Sequence, residues 1–163
     1  MGESRVGLGF DVHPFSDDAA RALRLGGVTF VGERGLAGHS DADVVAHAVA
    51  DALLGAAGLG DLGELFPDTD ERWRGADSMA LLAAVVARVH EAGWRVVNVD
   101  VSVVLEAPRL APRRAELEAN LAAVAGAPVT VKAKRAEGLG ALGRREGIAC
   151  WAVGLLDRRD PPG

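Results

Sequence analysis

Residues 41–57, with the sequence DADVVAHAVADALLGAA, predict a helix that packs into the core of the protein, because alanine, valine and leucine dominate the stretch. Ser40 and Asp41 are both suitable N-caps, since their side chains accept hydrogen bonds from the first N–H groups of a helix. Gly58 and Gly60 are suited to ending it. The region therefore predicts one buried helix with polar residues at its start.

The rest of the chain alternates between strand and helix patterns. Val97, Val99, Val101 and Val103 alternate with polar residues, which predicts a strand with the four valines on one buried face. The Gly26–Gly27 pair predicts a bulge inside an earlier strand. The other predicted strands are Arg5–His13, Leu23–Val31, Val129–Lys134 and Ile148–Leu156, and the other predicted helices are Leu62–Leu65, Ser78–Ala92 and Pro112–Ala125. This order indicates an α/β (α+β) fold.

Composition limits the domain count and the classes of partner. The 163 residues are 49% hydrophobic, which predicts a single domain over residues 1–156 and a flexible tail over 157–163. The net charge of -5 argues against nucleic acid or an anionic membrane as a general partner. Cys150 is the only cysteine, which indicates a reducing compartment, and the longest apolar run is shorter than the roughly 20 residues of a membrane span. We therefore expect a cytoplasmic protein.

Two short acidic stretches contain three of the four histidines and predict a metal site. Asp11 and His13 are two residues apart, so they share a face of an extended strand. Asp43, His47 and Asp51 are four residues apart and line one face of a helix. Imidazole nitrogens combined with one carboxylate suit zinc, and three protein ligands leave a fourth position open. An aspartate such as Asp43 or Asp51 is then expected to orient the His47 ring.

An ordinary solvated helix face is the alternative interpretation of the second stretch, which also contains His39. Between Gly35 and Glu71, however, there are eight acidic residues and no lysine or arginine. Carboxylates clustered in this way repel one another unless a cation is bound. A bound cation is therefore the favoured interpretation.

A basic, glycine-rich region near the other end of the chain predicts a phosphate site. Lys132 and Lys134 are the only lysines, and Arg135, Arg144 and Arg145 follow them. Glycines between them allow a ligand to approach backbone N–H groups. A basic strand end with a glycine loop is the alternative. The match of residues 138–143 to G-x-G-x-x-G does not indicate a dinucleotide site, since the chain ends before a following strand and acidic residue.

Four segments resemble the 2-C-methyl-D-erythritol 2,4-cyclodiphosphate synthase family. They are GLGFDVHPF at 7–15, GHSDADVVAHAVADALLGAAGLGDLGELFPDTD at 38–70, GADS at 75–78 and EGIAC at 146–150. The resemblance extends from Arg5 to Leu156. It implies a compact, ferredoxin-like or chorismate-mutase-like mixed sheet with helices on one face. It also implies a homotrimer with active sites at the subunit interfaces.

The reaction implied by this resemblance belongs to the non-mevalonate route to isoprenoids. It converts 4-diphosphocytidyl-2-C-methyl-D-erythritol 2-phosphate into 2-C-methyl-D-erythritol 2,4-cyclodiphosphate and CMP. Because the 2-phosphate of the substrate is itself the nucleophile, the protein must supply charge neutralisation and alignment. A non-catalytic trimeric nucleotide- or diphosphate-binding protein and a zinc phosphohydrolase are the alternative functions.

The resemblance also implies roles for individual residues. Zn²⁺ is expected on Asp11, His13 and His47, and a second divalent cation, Mg²⁺ or Mn²⁺, on Glu137 with the substrate diphosphate. Catalytic roles are predicted for His39, Asp43, Arg135 and Glu137. The predicted substrate-binding residues are His39, Ser40, Asp61, Gly63, Phe66, Asp68, Asp70, Ala107, Pro108, Arg109, Arg113, Ala133, Lys134, Arg135 and Arg144. The resemblance implies that His39 and Ser40 approach the 2-phosphate and methylerythritol end, that Asp61 and Gly63 receive the sugar hydroxyls, and that Ala107–Arg113 hold the cytidine.

Two segments depart from the pattern of the family. Lys134-Arg135-Ala136 stands where the family usually has three threonines, so hydroxyl donors are replaced by longer basic side chains. Lys134 and Arg135 are therefore candidate phosphate contacts. Ala141-Leu142 stands where the family usually has an aromatic residue and a threonine, which weakens the expectation of an isoprenoid diphosphate in a central cavity.

Overall fold

The computed structural model describes residues 2–158, which form one four-stranded mixed sheet, a small hairpin and several helices. The strands are β1 (Ser4–Pro14), β2 (Leu23–Leu25), β3 (Val28–Phe30), β4 (Trp94–Val104), β5 (Val129–Lys134) and β6 (Gly147–Arg158). The helices are α1 (Val44–Ala57), α2 (Leu62–Leu65), α3 (Ser78–Glu91), α4 (Arg114–Ala125) and α5 (Gly140–Gly143), with 3₁₀ turns at Glu71–Trp73 and Ala111–Arg113. The predicted α+β class and the mixed sheet are confirmed.

The strand order in the large sheet is β1-β6-β4-β5, so β1 and β5 form its two edges. The β1–β6 and β6–β4 pairs are antiparallel, whereas β4 and β5 are parallel. A parallel pair needs a crossover connection, and α4 provides it. Residues at the end of β5 are therefore separated from β1 by the width of the sheet.

Helix α1 packs closely on β1 because the facing residues have little or no side chain. Gly7 and Gly9 point toward α1, and a Cβ atom at either position would overlap the backbone of Ala52 or Ala48. This close packing brings the first turn of α1 against the second half of β1. The opposite face of β1 points outward, and Leu8 is 68% exposed there.

The region from Leu23 to Val31 differs from the predicted single strand with a bulge. It forms two short antiparallel strands, β2 and β3, joined by Gly26 and Gly27. Both glycines have positive φ, 56° and 73°, which is the conformation required by a tight two-residue hairpin turn. Val31 lies outside the strands and is 92% exposed.

Strand β4 confirms the predicted alternation only in part. Val99, Val101 and Val103 are buried, but the register shifts between Val96 and Asn98. This bulge buries Val96 and leaves Val97 37% exposed, so the assignment of Val97 to the buried face was wrong.

The boundaries of α1 and β6 also differ from the prediction. Helix α1 begins at Val44 with Asp43 as its N-cap, rather than with Ser40 or Asp41. Strand β6 continues to Arg158, and Asp157 forms an ion pair with Arg95 at 2.6 Å. The tail predicted from residue 157 therefore begins too early, and residues 159–163 lie outside the described part. In the part from 2 to 158, every helix falls short of the length and apolarity that a membrane span requires.

Candidate metal centre and active site

Asp11, His13 and His47 form the centre of the site. Asp11 and His13 lie on the face of β1 that is turned toward α1, and His47 lies in the first turn of α1. One ligand atom from each of the three lies within 4.8 Å of the others. Asp11 Oδ2 is 2.9 Å from both His13 Nε2 and His47 Nδ1, and the two ring nitrogens are 3.3 Å apart. Two imidazole nitrogens and one carboxylate oxygen are a donor set that suits zinc, so these residues fit the expected metal.

The remaining nitrogens of the two rings are held by other groups. His13 Nδ1 donates a hydrogen bond to the Ala37 carbonyl at 2.9 Å. His47 Nε2 lies 2.8 Å from Ser78 Oγ and 3.2 Å from Ser40 Oγ. The prediction that Asp43 or Asp51 orients His47 was therefore wrong, because serine hydroxyls occupy this position.

The electrostatics of the cluster favour a positive charge on it. Burial alone would raise the pKa of Asp11, but hydrogen bonds and charges from His13 and His47 outweigh burial and hold that pKa below its usual range. Burial would lower the pKa of His47, but the hydrogen bond and charge of Asp11, together with the charges of Asp43 and Asp41, outweigh burial and raise that pKa above 6.5. A proton and a metal cation therefore compete for the same cluster.

A cavity of about 520 Å³ opens beside the three residues. It is lined by Asp11, His13, Gly38, His39, Ser40, His47, Asp51, Leu62, Gly63, Phe66, Pro67, Asp68, Trp73 and Leu81. Of the predicted substrate-binding residues, His39, Ser40, Gly63, Phe66 and Asp68 line it. The fold of residues 38–70 therefore brings these five predicted residues to the walls of one cavity.

Two predicted contacts in the same segment do not line the cavity. Asp61 is the N-cap of α2 and accepts a hydrogen bond from the Glu64 N–H at 2.9 Å. Asp70 forms an ion pair with Arg72, and its carbonyl accepts a hydrogen bond from His39 Nε2 at 3.0 Å. In this chain their side chains organise the wall of the cavity. Asp51 does line it, and burial raises the pKa of Asp51.

Asp43, predicted to be catalytic, lies outside this cavity in a fully buried position. Its carboxylate accepts hydrogen bonds from the N–H groups of Val45 and Ala46 in α1 and of Gly26 and Gly27 in the hairpin. These four bonds join the hairpin to the start of α1. Because Asp43 is fully buried and all four donors to its carboxylate belong to the backbone, the structure gives Asp43 a role in the fold, and its position lends no support to the predicted catalytic role.

The predicted residues between Ala107 and Arg144 also lie away from the cavity beside the metal ligands. Glu137 is exposed in the turn after β5 and has a φ of 54°. Glu106 and Ala107 line a second cavity of about 240 Å³, together with Phe15, Glu33, Arg34 and Arg145. Within one chain, the metal ligands and the segment predicted to hold the cytidine therefore lie in different places.

Several basic side chains of this region already have acidic partners. Arg135 contacts Glu106 at 2.9 Å, Arg113 contacts Glu116 at 2.7 Å, and Arg144 contacts Glu146 at 2.7 Å. Lys134 is exposed and has no ion-pair partner among residues 2–158. Pro108, Arg109 and Ala133 lie near the end of the β4–β5 pair. Arg109 and Ala133 are exposed, and Pro108 is half-buried.

Ser78 contacts the metal cluster but was not among the predicted site residues. It is the first residue of α3 and is 1% exposed, with its hydroxyl against His47. The helix-start pattern at Asp77 and Ser78 accounts for the local structure without indicating this contact, which joins residues 31 positions apart. The GADS segment, which contains Ser78, was the available signal.

Comparisons with known proteins identify the family. A model of the YgbB family matches residues 4–157. The 2-C-methyl-D-erythritol 2,4-cyclodiphosphate synthase of Bordetella petrii is 57% identical over 157 residues, which are 94% of this chain and 96% of the relative. The synthase of the same name from Rubrobacter xylanophilus is 57% identical over 162 residues, covering 97% of this chain and 98% of the relative.

Solved structures agree with this assignment. The bifunctional IspDF of Campylobacter jejuni is 41% identical with a TM-score of 0.93, and the match covers 98% of this chain and 44% of that one. The CDP complex of IspF from Plasmodium falciparum is 29% identical with a TM-score of 0.84, covering 98% of this chain and 99% of that one. The match in sequence and fold shows that this chain belongs to the YgbB family, the family of its 2-C-methyl-D-erythritol 2,4-cyclodiphosphate synthase relatives.

Proposed function

We propose that the protein converts 4-diphosphocytidyl-2-C-methyl-D-erythritol 2-phosphate into 2-C-methyl-D-erythritol 2,4-cyclodiphosphate and CMP. The observation that carries this proposal is the Asp11–His13–His47 cluster at one side of a 520 Å³ cavity, in a chain that matches the synthases over nearly its whole length. The protein is then a lyase of non-mevalonate isoprenoid synthesis that acts in the cytoplasm.

In this reaction an oxygen of the 2-phosphate forms a bond to the β-phosphorus, and the bond from that phosphorus to the CMP oxygen breaks. The nucleophile is already anionic near neutral pH, so the chain need not remove a proton from it. Asp11, His13 and His47 would hold the zinc, which would supply positive charge to stabilise the charge that develops on the phosphoryl oxygens. Two anionic groups must still be brought together, which is the task of the surrounding residues.

The cavity walls provide that alignment. His39 and Ser40 lie beside the metal ligands and suit the 2-phosphate end of the substrate. Gly63 exposes backbone near the position expected for the sugar, and Phe66 packs edge-on against Trp73 at 4.9 Å between ring centroids. This aromatic pair forms a rigid apolar wall. Such a wall restricts the flexible chain of the substrate to fewer orientations and so favours the reactive one.

We infer that the second half of each active site comes from a neighbouring subunit of a homotrimer. The predicted cytidine segment Ala107–Arg113 and the expected Mg²⁺ or Mn²⁺ ligand Glu137 lie near β5, whereas the metal cluster begins on β1 at the other edge of the sheet. A second chain placed beside the cavity would supply its own Ala107–Arg113 segment and Glu137, so neither edge of the sheet has to rearrange.

The outer face of the sheet offers an interface for such an assembly. Its apolar side chains remain 39–68% exposed in the single chain: Val6, Leu8, Phe10, Val12, Trp151 and Val153. An apolar patch of this kind on the surface of one subunit is typical of a subunit interface. Lys134, at the end of β5, is then free to approach the shared diphosphate, whereas Arg135 is engaged by Glu106.

Product analysis tests the proposed function. The purified protein is incubated with the diphosphocytidyl substrate and Mg²⁺, and the products are followed by ³¹P NMR. Formation of the cyclic diphosphate and CMP, lost on zinc chelation and in His47→Ala, is the expected result. His90→Ala, at the far end of α3, is the matched histidine control and should retain activity.

Other outcomes would identify the alternatives. A linear phosphate product indicates attack by water and therefore a phosphohydrolase. Binding of a cytidine nucleotide without turnover indicates a non-catalytic binding protein. Turnover that persists in His47→Ala would contradict the zinc assignment.

A further inference from the structure

A buried chain of polar contacts extends from His47 away from the cavity. His47 Nε2 lies 2.8 Å from Ser78 Oγ, and the Ser78 hydroxyl in turn contacts Asp41 Oδ1. Asp41 is held from the other side, because its Oδ2 accepts a hydrogen bond from the Ser78 N–H at 3.2 Å and lies 3.6 Å from Arg24 Nε. The chain thus joins α1, the start of α3 and the loop before α1.

The direction of each hydrogen bond in this chain follows from the donors available. An ionised carboxylate only accepts, so the single hydroxyl hydrogen of Ser78 is donated to Asp41. The Ser78 oxygen then accepts a hydrogen bond from His47 Nε2. Ser40 Oγ is the other hydroxyl near His47 Nε2, at 3.2 Å, and it accepts a hydrogen bond from the Ala42 N–H. Ser40 Oγ is also 3.4 Å from Ser78 Oγ, which is an acceptor for the Ser40 hydroxyl hydrogen once the Ser78 hydrogen is donated to Asp41.

A neutral imidazole that carries its hydrogen on Nε2 has its lone pair on Nδ1. His47 Nδ1 is the nitrogen that faces Asp11 Oδ2 and His13 Nε2, at 2.9 Å and 3.3 Å. The contact with Ser78 therefore keeps a hydrogen on Nε2. When a metal displaces the hydrogen that Nδ1 shares with Asp11, the Nδ1 lone pair faces the metal. The Ala37 carbonyl has the same effect on His13, where it fixes the hydrogen on Nδ1.

We propose that Ser78 and Asp41 are positioning residues that fix the tautomer and the ring orientation of His47 for metal binding. The proposal rests on the zinc site of the proposed function. Neither residue lines the cavity beside the metal ligands, so both act through His47. Removing partners of this kind usually lowers metal affinity about 10–100-fold.

Zinc affinity of the full-length protein tests this role directly. The metal is stripped from native protein and from Ser78→Ala, Asp41→Ala and the double variant, and zinc is titrated in competition with a chromophoric chelator. We expect about a 10–100-fold weaker affinity in each single variant. The double variant should be little weaker than the weaker single variant, because both residues act through one chain of contacts.

Asp77→Ala is the matched control for effects on the helix itself. Asp77 is the N-cap of α3, and its carboxylate accepts from the Met79 N–H at 2.8 Å without contacting His47. This variant should lower the thermal midpoint of the metal-free protein yet keep zinc affinity within about twofold of native, since the Ser78–His47 contact remains. Ser78→Ala should instead lower zinc affinity strongly and change the thermal midpoint of the metal-free protein little.

The possible results separate the positioning role from the zinc site. Native protein that takes up no zinc would overturn the zinc site and this proposal with it. If native protein binds zinc and Ser78→Ala binds it equally well, only the positioning role is overturned. A loss of affinity in Asp77→Ala as large as in Ser78→Ala, or losses that simply add in the double variant, would also overturn that role.

Discussion

Replacing Asp43 by alanine should destabilise the protein far more than removing an ordinary helix cap. Asp43 is 0% exposed, and its carboxylate receives N–H groups from both α1 and the β2–β3 hairpin. Loss of the cap of α1 costs about 1–2 kcal/mol. Each of the two hairpin N–H groups left without an acceptor costs about 1–3 kcal/mol, which brings the expected loss to about 3–8 kcal/mol.

Asp77→Ala provides a matched comparison, because Asp77 caps α3, a helix of the same length as α1, with a 51% exposed side chain. Its loss should cost about 1 kcal/mol. The free energies of unfolding of the metal-free variants are measured by urea denaturation, at one protein concentration because assembly contributes to stability. Equal losses in the two variants would refute the assignment of Asp43 to this buried junction.

Four further predictions concern the metal cluster, the packing of β1 on α1 and the exposed face of the sheet. Zinc affinity should rise with pH, because the raised pKa of His47 keeps a proton on the metal-free cluster and zinc must displace that proton. Calorimetry of zinc binding in buffers of different ionisation enthalpy should detect the released proton. The stability that His47 contributes to the metal-free protein is present below its unfolded pKa of about 6.5 and is lost as pH rises through its higher folded pKa. Urea midpoints should therefore fall as pH rises above about 6.5. Gly9→Val should lower the free energy of unfolding by about 1–3 kcal/mol, because the added side chain would force β1 away from α1. The same displacement should lower the zinc stoichiometry, and a native stoichiometry would contradict this account of the packing. Leu8→Glu, on the exposed sheet face, should lower the mass measured by light scattering from that of a trimer, whereas an unchanged mass would exclude this face as the interface.

The metal ligands were predictable from sequence because each of them lies in an element with a clear local pattern. Asp11 and His13 follow the two-residue period of a strand, and His47 lies in a helix whose apolar pattern is strong. Packing of that helix on the glycines of β1 then brings the three together. The buried valines of β4 were predictable for the same reason, except at the bulge that exposes Val97.

The errors arose where distant parts of the chain decide the local structure. Asp41 and Asp43 are both acceptable helix caps by sequence, and the N–H groups of Gly26 and Gly27 select Asp43. The same bonds make Leu23–Val31 a hairpin rather than one strand. Ser78 reaches His47 only through the packing of α3 on α1, which no local pattern encodes.

The central claim is that Asp11, His13 and His47 of one subunit share an active site with Glu137 of its neighbour. Co-assembly of His47→Ala and Glu137→Ala chains tests it, because each variant alone should be inactive. An equal mixture that is unfolded and reassembled together should recover about a quarter of native activity, since that fraction of interfaces combines an intact His47 with an intact Glu137. A mixture that assembles but stays as inactive as its two parents would contradict the shared site.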